Sequence, residues 1–260
     1  MVCVAAVATS SATYAWFVSN NSVKATTTNI SAQSNSAYLV IDTQKTSTSS
    51  TGSATAAETV GEGQTYADKA IYPAQWANGF TANKEASESG IYQFESAYAS
   101  DKGATTEKAG TRFAVGAPAD AVTADYAIGN KFFIGTGTYD GEFTNLKVDS
   151  LDVSTPSNVE DSKGLDAALR VLVYVDQNNW AVVSSAGVEK SCLAGNVVTQ
   201  GENLGIIHSA AFGKVAGDVE MTLYVYYDGA NDQVYTTNLA NLQKEVGATV
   251  TFSATATEHK

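Results

Sequence analysis

Two histidines and two cysteines are the side chains of this 260-residue chain best suited to nucleophilic or metal chemistry, and their surroundings favour neither. His208 stands in LGIIHSAAF, an apolar run of strand character, and His259 adjoins Lys260, so a structural role is expected for His208. A zinc hydrolase needs a set such as His-Glu-x-x-His, and a cysteine nucleophile needs a neighbouring base; the sequence offers neither arrangement. Cys3 lies in an apolar N-terminal stretch, which leaves Cys192 to be read as a small buried hydrophobe. The Gly-x-Ser-x-Gly elbow, the Walker A loop and Gly-x-Gly-x-x-Gly do not occur, which removes the local signatures of acyl transfer, nucleotide hydrolysis and dinucleotide binding. The 27 acidic residues leave paired-carboxylate glycoside chemistry open without positive support for it. The expectation is a protein that is not an enzyme, with no catalytic residue, cofactor or metal centre.

Two acidic turns carry oxygen ligands that Ca²⁺ accepts, Asp140-Gly141-Glu142 and Asp228-Gly229-Ala230-Asn231-Asp232, but without EF-hand spacing. Asp-Gly between strand-like runs is first a hairpin turn, because Gly takes positive φ without strain. Asn20-Asn21-Ser22 and Asn29-Ile30-Ser31 match the glycosylation sequon, which is too short to carry weight. Trp76, Tyr92, Trp180 and the run from Tyr224 to Tyr227 would be the stacking platforms of a sugar-binding module. Aromatics at period two more often pack across strands.

A different chemistry, that of assembly, is carried by Trp16-Phe17-Val18 and the following Ser19, Asn20, Asn21, Ser22 and Val23. Each large apolar side chain left in water forgoes about 1.5–3 kcal/mol of burial, so this segment needs a cover. Two covers are open: the chain's own sheets, or an incomplete sheet of a neighbouring subunit to which the segment adds a strand. In the second case Trp16, Phe17, Val18 and Val23 are polymerisation-strand residues, and a head-to-tail contact that never closes builds a filament. Fully extended, Trp16 to Val23 reaches about 26 Å, enough to pair along a typical strand.

The elements that must present this segment are strands. The chain is rich in Ala, Thr, Ser, Val and Tyr with only 3 Pro, and short alternating runs separated by Gly, Asn and Asp predict an all-β sandwich. Val219, Met221, Leu223, Val225 and Tyr227 alternate with Glu220, Thr222, Tyr224 and Tyr226, which predicts one core face. Val250, Phe252, Ala254 and Ala256 alternate with Thr249, Thr251, Ser253 and Thr255, the apolar-in, hydroxyl-out pattern of an antiparallel strand. Leu165 to Val175 reads as a central strand buried on both sides, with a start that could be helical. Further strands are expected over Thr26–Gln33, Ala37–Asp42, Ile91–Tyr98, Lys131–Thr138, Asn145–Val153, Trp180–Ser184 and Leu204–Phe212. Residues 43–65 form a low-complexity loop, and residues 74–110, with a short helix near 82–89, a second insertion decorating the sandwich.

Net charge −12 leaves no positive field for a phosphate backbone, so nucleic acid is excluded as an expected partner. Met1 to Ala15 has no charged residue and ends in small residues, like the tail of an export signal; it is short for a membrane span. The order of small residues, Tyr-Ala-Trp-Phe, an Asn/Ser turn and a Thr-rich strand in ATYAWFVSNNSVKATTTNISA resembles the TasA/camelysin group of exported proteins. The likeness returns in LYVYYDGANDQVYTTNL and ATVTFSATA, where it is similar to that group's closing strands.

The resemblance implies cleavage after Ala15, an N-terminal donor segment over residues 16–27, and a single jelly-roll-like antiparallel β-sandwich over residues 28–260. It also implies that the protein is secreted to the bacterial cell surface or biofilm matrix and polymerises by lending its N-terminal strand to the next subunit. The partner is then another copy of the chain, with other matrix proteins or cell wall beside it, and the mature form has no stable membrane span. Rival readings are a monomeric adhesin or carbohydrate-binding sandwich, a type IV pilin-like subunit that keeps Met1 to Phe17, and a secreted protease.

Overall fold

A computed structural model of the chain describes residues 15–19, 40–42, 55–56, 71–78, 91–96, 114–136, 142–154, 165–199, 203–208, 218–235 and 247–257. The early part contributes β1 (Ala15–Ser19), β2 (Val40–Asp42), β3 (Thr55–Ala56), β4 (Ala74–Asn78), β5 (Tyr92–Ser96), β6 (Ala114–Gly116) and a short helix α1 (Pro118–Thr123). Then come β7 (Ile128–Gly135), β8 (Glu142–Ser154), a 3-10 turn (Leu165–Ala168), β9 (Leu169–Asp176), β10 (Asn179–Ser184), β11 (Gly187–Leu193) and β12 (Asn196–Thr199). The last strands are β13 (Asn203–His208), β14 (Val219–Tyr227) and β15 (Gly247–Thr257). The expected strands over 26–33 and helix over 82–89 lie outside the described residues.

These strands form three sheets. A five-stranded sheet runs β13-β8-β15-β1-β3, a seven-stranded sheet runs β12-β11-β10-β9-β14-β7-β2, and a three-stranded sheet runs β4-β5-β6. The pairings are antiparallel except that of β1 with β15. The all-β sandwich expected from the sequence is therefore present.

The seven-stranded sheet is the middle layer, because its strands are apolar on both faces. In β9, Leu169, Val171 and Val173 turn to a core shared with Phe143, Leu146 and Val148 of β8 and Val250 and Phe252 of β15. Leu172 of the same strand turns the other way, to a second core with Trp76 of β4, Phe94 of β5 and Ala121 of α1. β9 is the fourth of seven strands, the central position that its unbroken apolar run requires, and the 3-10 turn accounts for the helical start.

β14 is buried on both faces as β9 is, and here the structure departs from expectation. Met221, Leu223, Val225 and Tyr227 enter the first core, but Tyr224 and Tyr226, expected on an outer face, are buried in the second. The cover comes from β4 and β5, so part of the stretch 74–110 is a packed third layer rather than a decoration. Phe94 meets Tyr226 edge-on at 5.1 Å between ring centroids, and Trp76 meets Trp180 of β10 at 5.8 Å. Edge-to-face aromatics add about 0.5–1.5 kcal/mol per pair beyond the area they bury.

In β15 the predicted alternation holds: Ala248, Val250, Phe252 and Ala254 are buried, Thr251 and Ser253 half-buried, and Thr255 exposed. Its partner β8 needs 13 residues to span the 11 of β15. The register slips once between Thr251 and Phe252 and once between Ser253 and Thr255, so two bulges absorb the two extra residues of β8. This explains why the inward residues of β8, Phe143, Leu146, Val148 and Leu151, are spaced by three, two and three. Asn145, at φ +53°, supplies the left-handed backbone of one bulge.

Of the two Asp-Gly sites only the second lies among the described residues, and it is not a hairpin turn. Glu142 opens β8, which lies in a different sheet from the preceding β7, while Asp140 and Gly141 lie outside the described residues. Asp228 follows β14, and the next strand, β15, is likewise in the other sheet. The chain changes sheet between β7 and β8 and again between β14 and β15.

Candidate functional site

The segment singled out by its exposed-looking aromatics forms β1, seated within the chain's own five-stranded sheet. Its backbone runs parallel to β15 with Trp16 opposite Thr249, Phe17 opposite Val250 and Val18 opposite Thr251. On its other side the two-residue β3 pairs antiparallel, Phe17 with Ala56 and Val18 with Thr55. Trp16, Phe17 and Val18 are thus brought together on one ladder; Val23 lies outside the described residues.

The seat is firm on the side of β15. That strand pairs along its whole length with β8, and its Phe252 packs against Phe132 of β7 at 5.9 Å across the core. Parallel neighbours cannot be joined by a tight turn, and the strand after β1, β2, lies in the other sheet. The position of β1 is fixed by ladder hydrogen bonds rather than by a short connection. Chemically this seat is one of backbone: β1 pairs along the edge of β15 opposite to β8.

A second concentration of functional groups lies where the middle sheet meets β4. Arg170 of β9 is buried, and its guanidinium donates to the carbonyls of Ala167 at 2.7 Å and Leu169 at 3.0 Å. The same group faces Glu189 at 3.0 Å and Asp228 at 3.7 Å. Lys190 of β11 donates from Nζ to the Trp76 carbonyl and stands 5.8 Å from the centre of the Tyr92 ring.

Burial pushes the Lys190 ammonium below its usual range, against the pull of Asp228, Glu189 and Glu95. Burial also raises the Asp228 carboxyl, with Arg170 acting in the opposite direction. The phenol of Tyr226, fully enclosed beside these groups, is raised well above its ordinary value, again by burial first. Each charge answers another or a backbone carbonyl, an arrangement that ties β4 to β9, β11 and the end of β14. The sequence carried one signal of it: Arg170 interrupts an otherwise apolar run.

Asp228 is spoken for in a second way. Its Oδ1 accepts the Ala230 N–H at 3.0 Å, Asn231 Oδ1 accepts that of Gln233 at 3.0 Å, and the Gly229 N–H reaches the Ala74 carbonyl at 2.8 Å. These bonds make 228–234 a self-capped turn clasped to β4. Among the described residues no group of three or more His, Cys, Asp or Glu side chains is placed to hold a metal ion.

The other nominated residues are distributed by packing. Trp76 and Trp180 are almost fully buried, and Tyr224, Tyr226 and Tyr227 nearly so, which removes them as sugar-stacking platforms; Tyr92 is half-buried against Trp180 at 4.5 Å. Cys192 is buried in the second core, and burial raises its thiol, so it is the small hydrophobe expected. His208 ends β13 opposite Glu142, and His259 lies outside the described residues. No helix among the described residues is long and apolar enough to cross a membrane. No family model, curated protein or solved structure matches the chain.

Proposed function

We propose that this chain is the structural subunit of an extracellular bacterial filament or biofilm-matrix fibre, and that it polymerises head to tail by lending its N-terminal strand to the next subunit. The observation that carries this reading is the parallel seat of β1 beside β15. A strand held by backbone bonds, with no tight turn to tether it, can be exchanged for the same strand of another copy in the same register. Residues 20–39 link β1 to β2 and reach up to about 65 Å when extended, so a neighbour's β15 is accessible without disturbing β2. The TasA/camelysin-like order of residues around Trp16 and the signal-like stretch before it support secretion and the same mode of assembly. The sugar-binding rival has lost its tryptophan platforms to the core.

Removal of Trp16 to Val23 tests the reading. The shortened protein should keep the circular dichroism of a β-sandwich, form no filaments, and bind a synthetic peptide of those residues. Filaments that persist under the electron microscope would sink it.

A further inference from the structure

At the far side of the sandwich from β1, the middle sheet ends in β12, which has a strand neighbour on one side only among the described residues. Its sequence is Asn-Val-Val-Thr, and Val197 and Val198 are each 46% exposed. They follow one another in the strand, so they project from opposite faces and both faces of this edge are apolar. Exposed edges are ordinarily guarded by charge, proline or a bulge, and β12 carries none of these.

The edge is also held in place. Ala194 and Gly195, at φ +49° and +81°, turn β11 into β12. The Ala194 N–H donates to Asn179 Oδ1 at 3.2 Å and the Gly195 N–H to the Asn178 carbonyl at 3.0 Å. A left-handed alanine is a strained conformation that persists only where its surroundings over-determine it. The strain here goes into presenting a neutral, two-sided edge.

We infer that β12 is a self-association edge whose occupant is β12 of a second copy, paired antiparallel about a two-fold axis. Charge selects where two copies can meet, and the strand's symmetry selects the occupant. Copies of a chain with net charge −12 repel one another over most of their surface, and β12 offers an uncharged strand through which two of them can approach. The strand is also its own complement: opposed residues share a face, so the axis passes through one position, and with the axis at 197 Val197 faces Val197 of the other copy while Asn196 faces Val198. Two seven-stranded sheets then become one continuous sheet.

Four residues a side bury less than the roughly 1,200 Å² of a stable interface, so a single contact is weak. Resting on the fibre reading above, the same contact repeated along two filaments multiplies through avidity and pairs them side by side.

The test uses the full chain and its Val197→Lys and Val198→Lys variants, both at exposed positions, with folding checked by circular dichroism. Sedimentation velocity across the concentrations below those at which filaments form should show wild-type mass rising towards a doubled value, a rise lost in both variants. Electron microscopy should show paired wild-type filaments and single variant filaments. If the fibre reading fails, no filaments form, and the sedimentation arm still decides the fate of β12. Equal association of variants and wild type, or a wild-type species of unchanged mass at every concentration, would overturn the inference.

Discussion

The side-chain oxygen of Asn179 accepts the backbone N–H of Ala194 at 3.2 Å, so the turn between β9 and β10 holds the turn between β11 and β12. Asn179 is itself fixed, because its Nδ2 donates to Asp176 Oδ1 at 3.0 Å, the same oxygen that takes the Asn178 N–H at 2.7 Å. Ala194 pays for this arrangement with a φ of +49°, which costs an L-residue about 1–2 kcal/mol relative to glycine. Ala194→Gly should therefore stabilise the protein by about 1 kcal/mol in urea unfolding, after the extra backbone entropy of glycine is subtracted. Asn179→Ala should do the reverse by a similar amount. An Ala194→Gly protein no more stable than wild type would mean that the turn is not strained.

Arg170 answers Asp228 and Glu189 from a buried position, and breaking a buried pair by removing one partner costs about 3–5 kcal/mol. Arg170→Met should destabilise the fold by that order at neutral pH. Burial already raises the Asp228 carboxyl, so the folded state holds its proton more tightly than the unfolded state does. The contribution of such a group is full below its unfolded value and is lost as pH rises through the raised folded value. Without Arg170 that folded value climbs further. The deficit of the variant should thus narrow as the pH falls from about 7 towards about 4, measured as the difference between urea midpoints. A deficit that is constant with pH would show that Asp228 is not the group left uncompensated.

How much of this was legible beforehand depended on whether each strand's surroundings were local. β15 declares itself because Val250 and Phe252 face a core while Thr251 and Ser253 do not. β14 looks the same in sequence but is covered twice, since whether Tyr224 and Tyr226 meet water or Phe94 depends on a segment more than 120 residues earlier. The spacing of β8 was blurred by its two bulges, which the period-two rule has no place for. The hairpin of β11 and β12 was missed because its turn is Ala-Gly where Asn-Gly or Asp-Gly would be the signal. For the candidate site, Trp16, Phe17 and Val18 were legible as a strand needing a partner. That β15 is the partner, and in parallel, was not, because the pairing joins residues more than 230 apart.

Lys190 and Tyr226 give the stability of the second core opposite responses to alkali. Burial lowers the Lys190 ammonium, so between that depressed value and the ordinary 10.5 the unfolded chain binds the extra proton and stability rises with pH. Burial raises the Tyr226 phenol, so above the ordinary 10.0 the unfolded chain loses a proton that the folded one keeps, and stability falls. Wild-type stability should accordingly climb on the approach to about pH 10 and decline beyond it. Lys190→Met should lose the climb and keep the decline. Urea midpoints at a series of pH values, with tyrosinate absorbance followed in parallel, read both limbs; a climb that survives in Lys190→Met assigns it to another group.

Val18 and Thr251 are opposed in the ladder of β1 and β15, and neighbouring strands lie about 4.8 Å apart, within the reach of a disulfide. Val18→Cys with Thr251→Cys, in a Cys3→Ser background, converts strand exchange into a covalent record. Cys192 is buried with a raised thiol and does not compete. Oxidised before assembly, the protein should be locked with β1 in its own sheet, run as a monomer on a non-reducing gel and form no filaments until reductant is added. Oxidised after assembly, the same protein should run as a ladder, because each bond then joins β1 of one subunit to β15 of the next. Filaments whose oxidised subunits all run as monomers would mean that β1 never leaves its own sheet, and that the fibre is built through another surface.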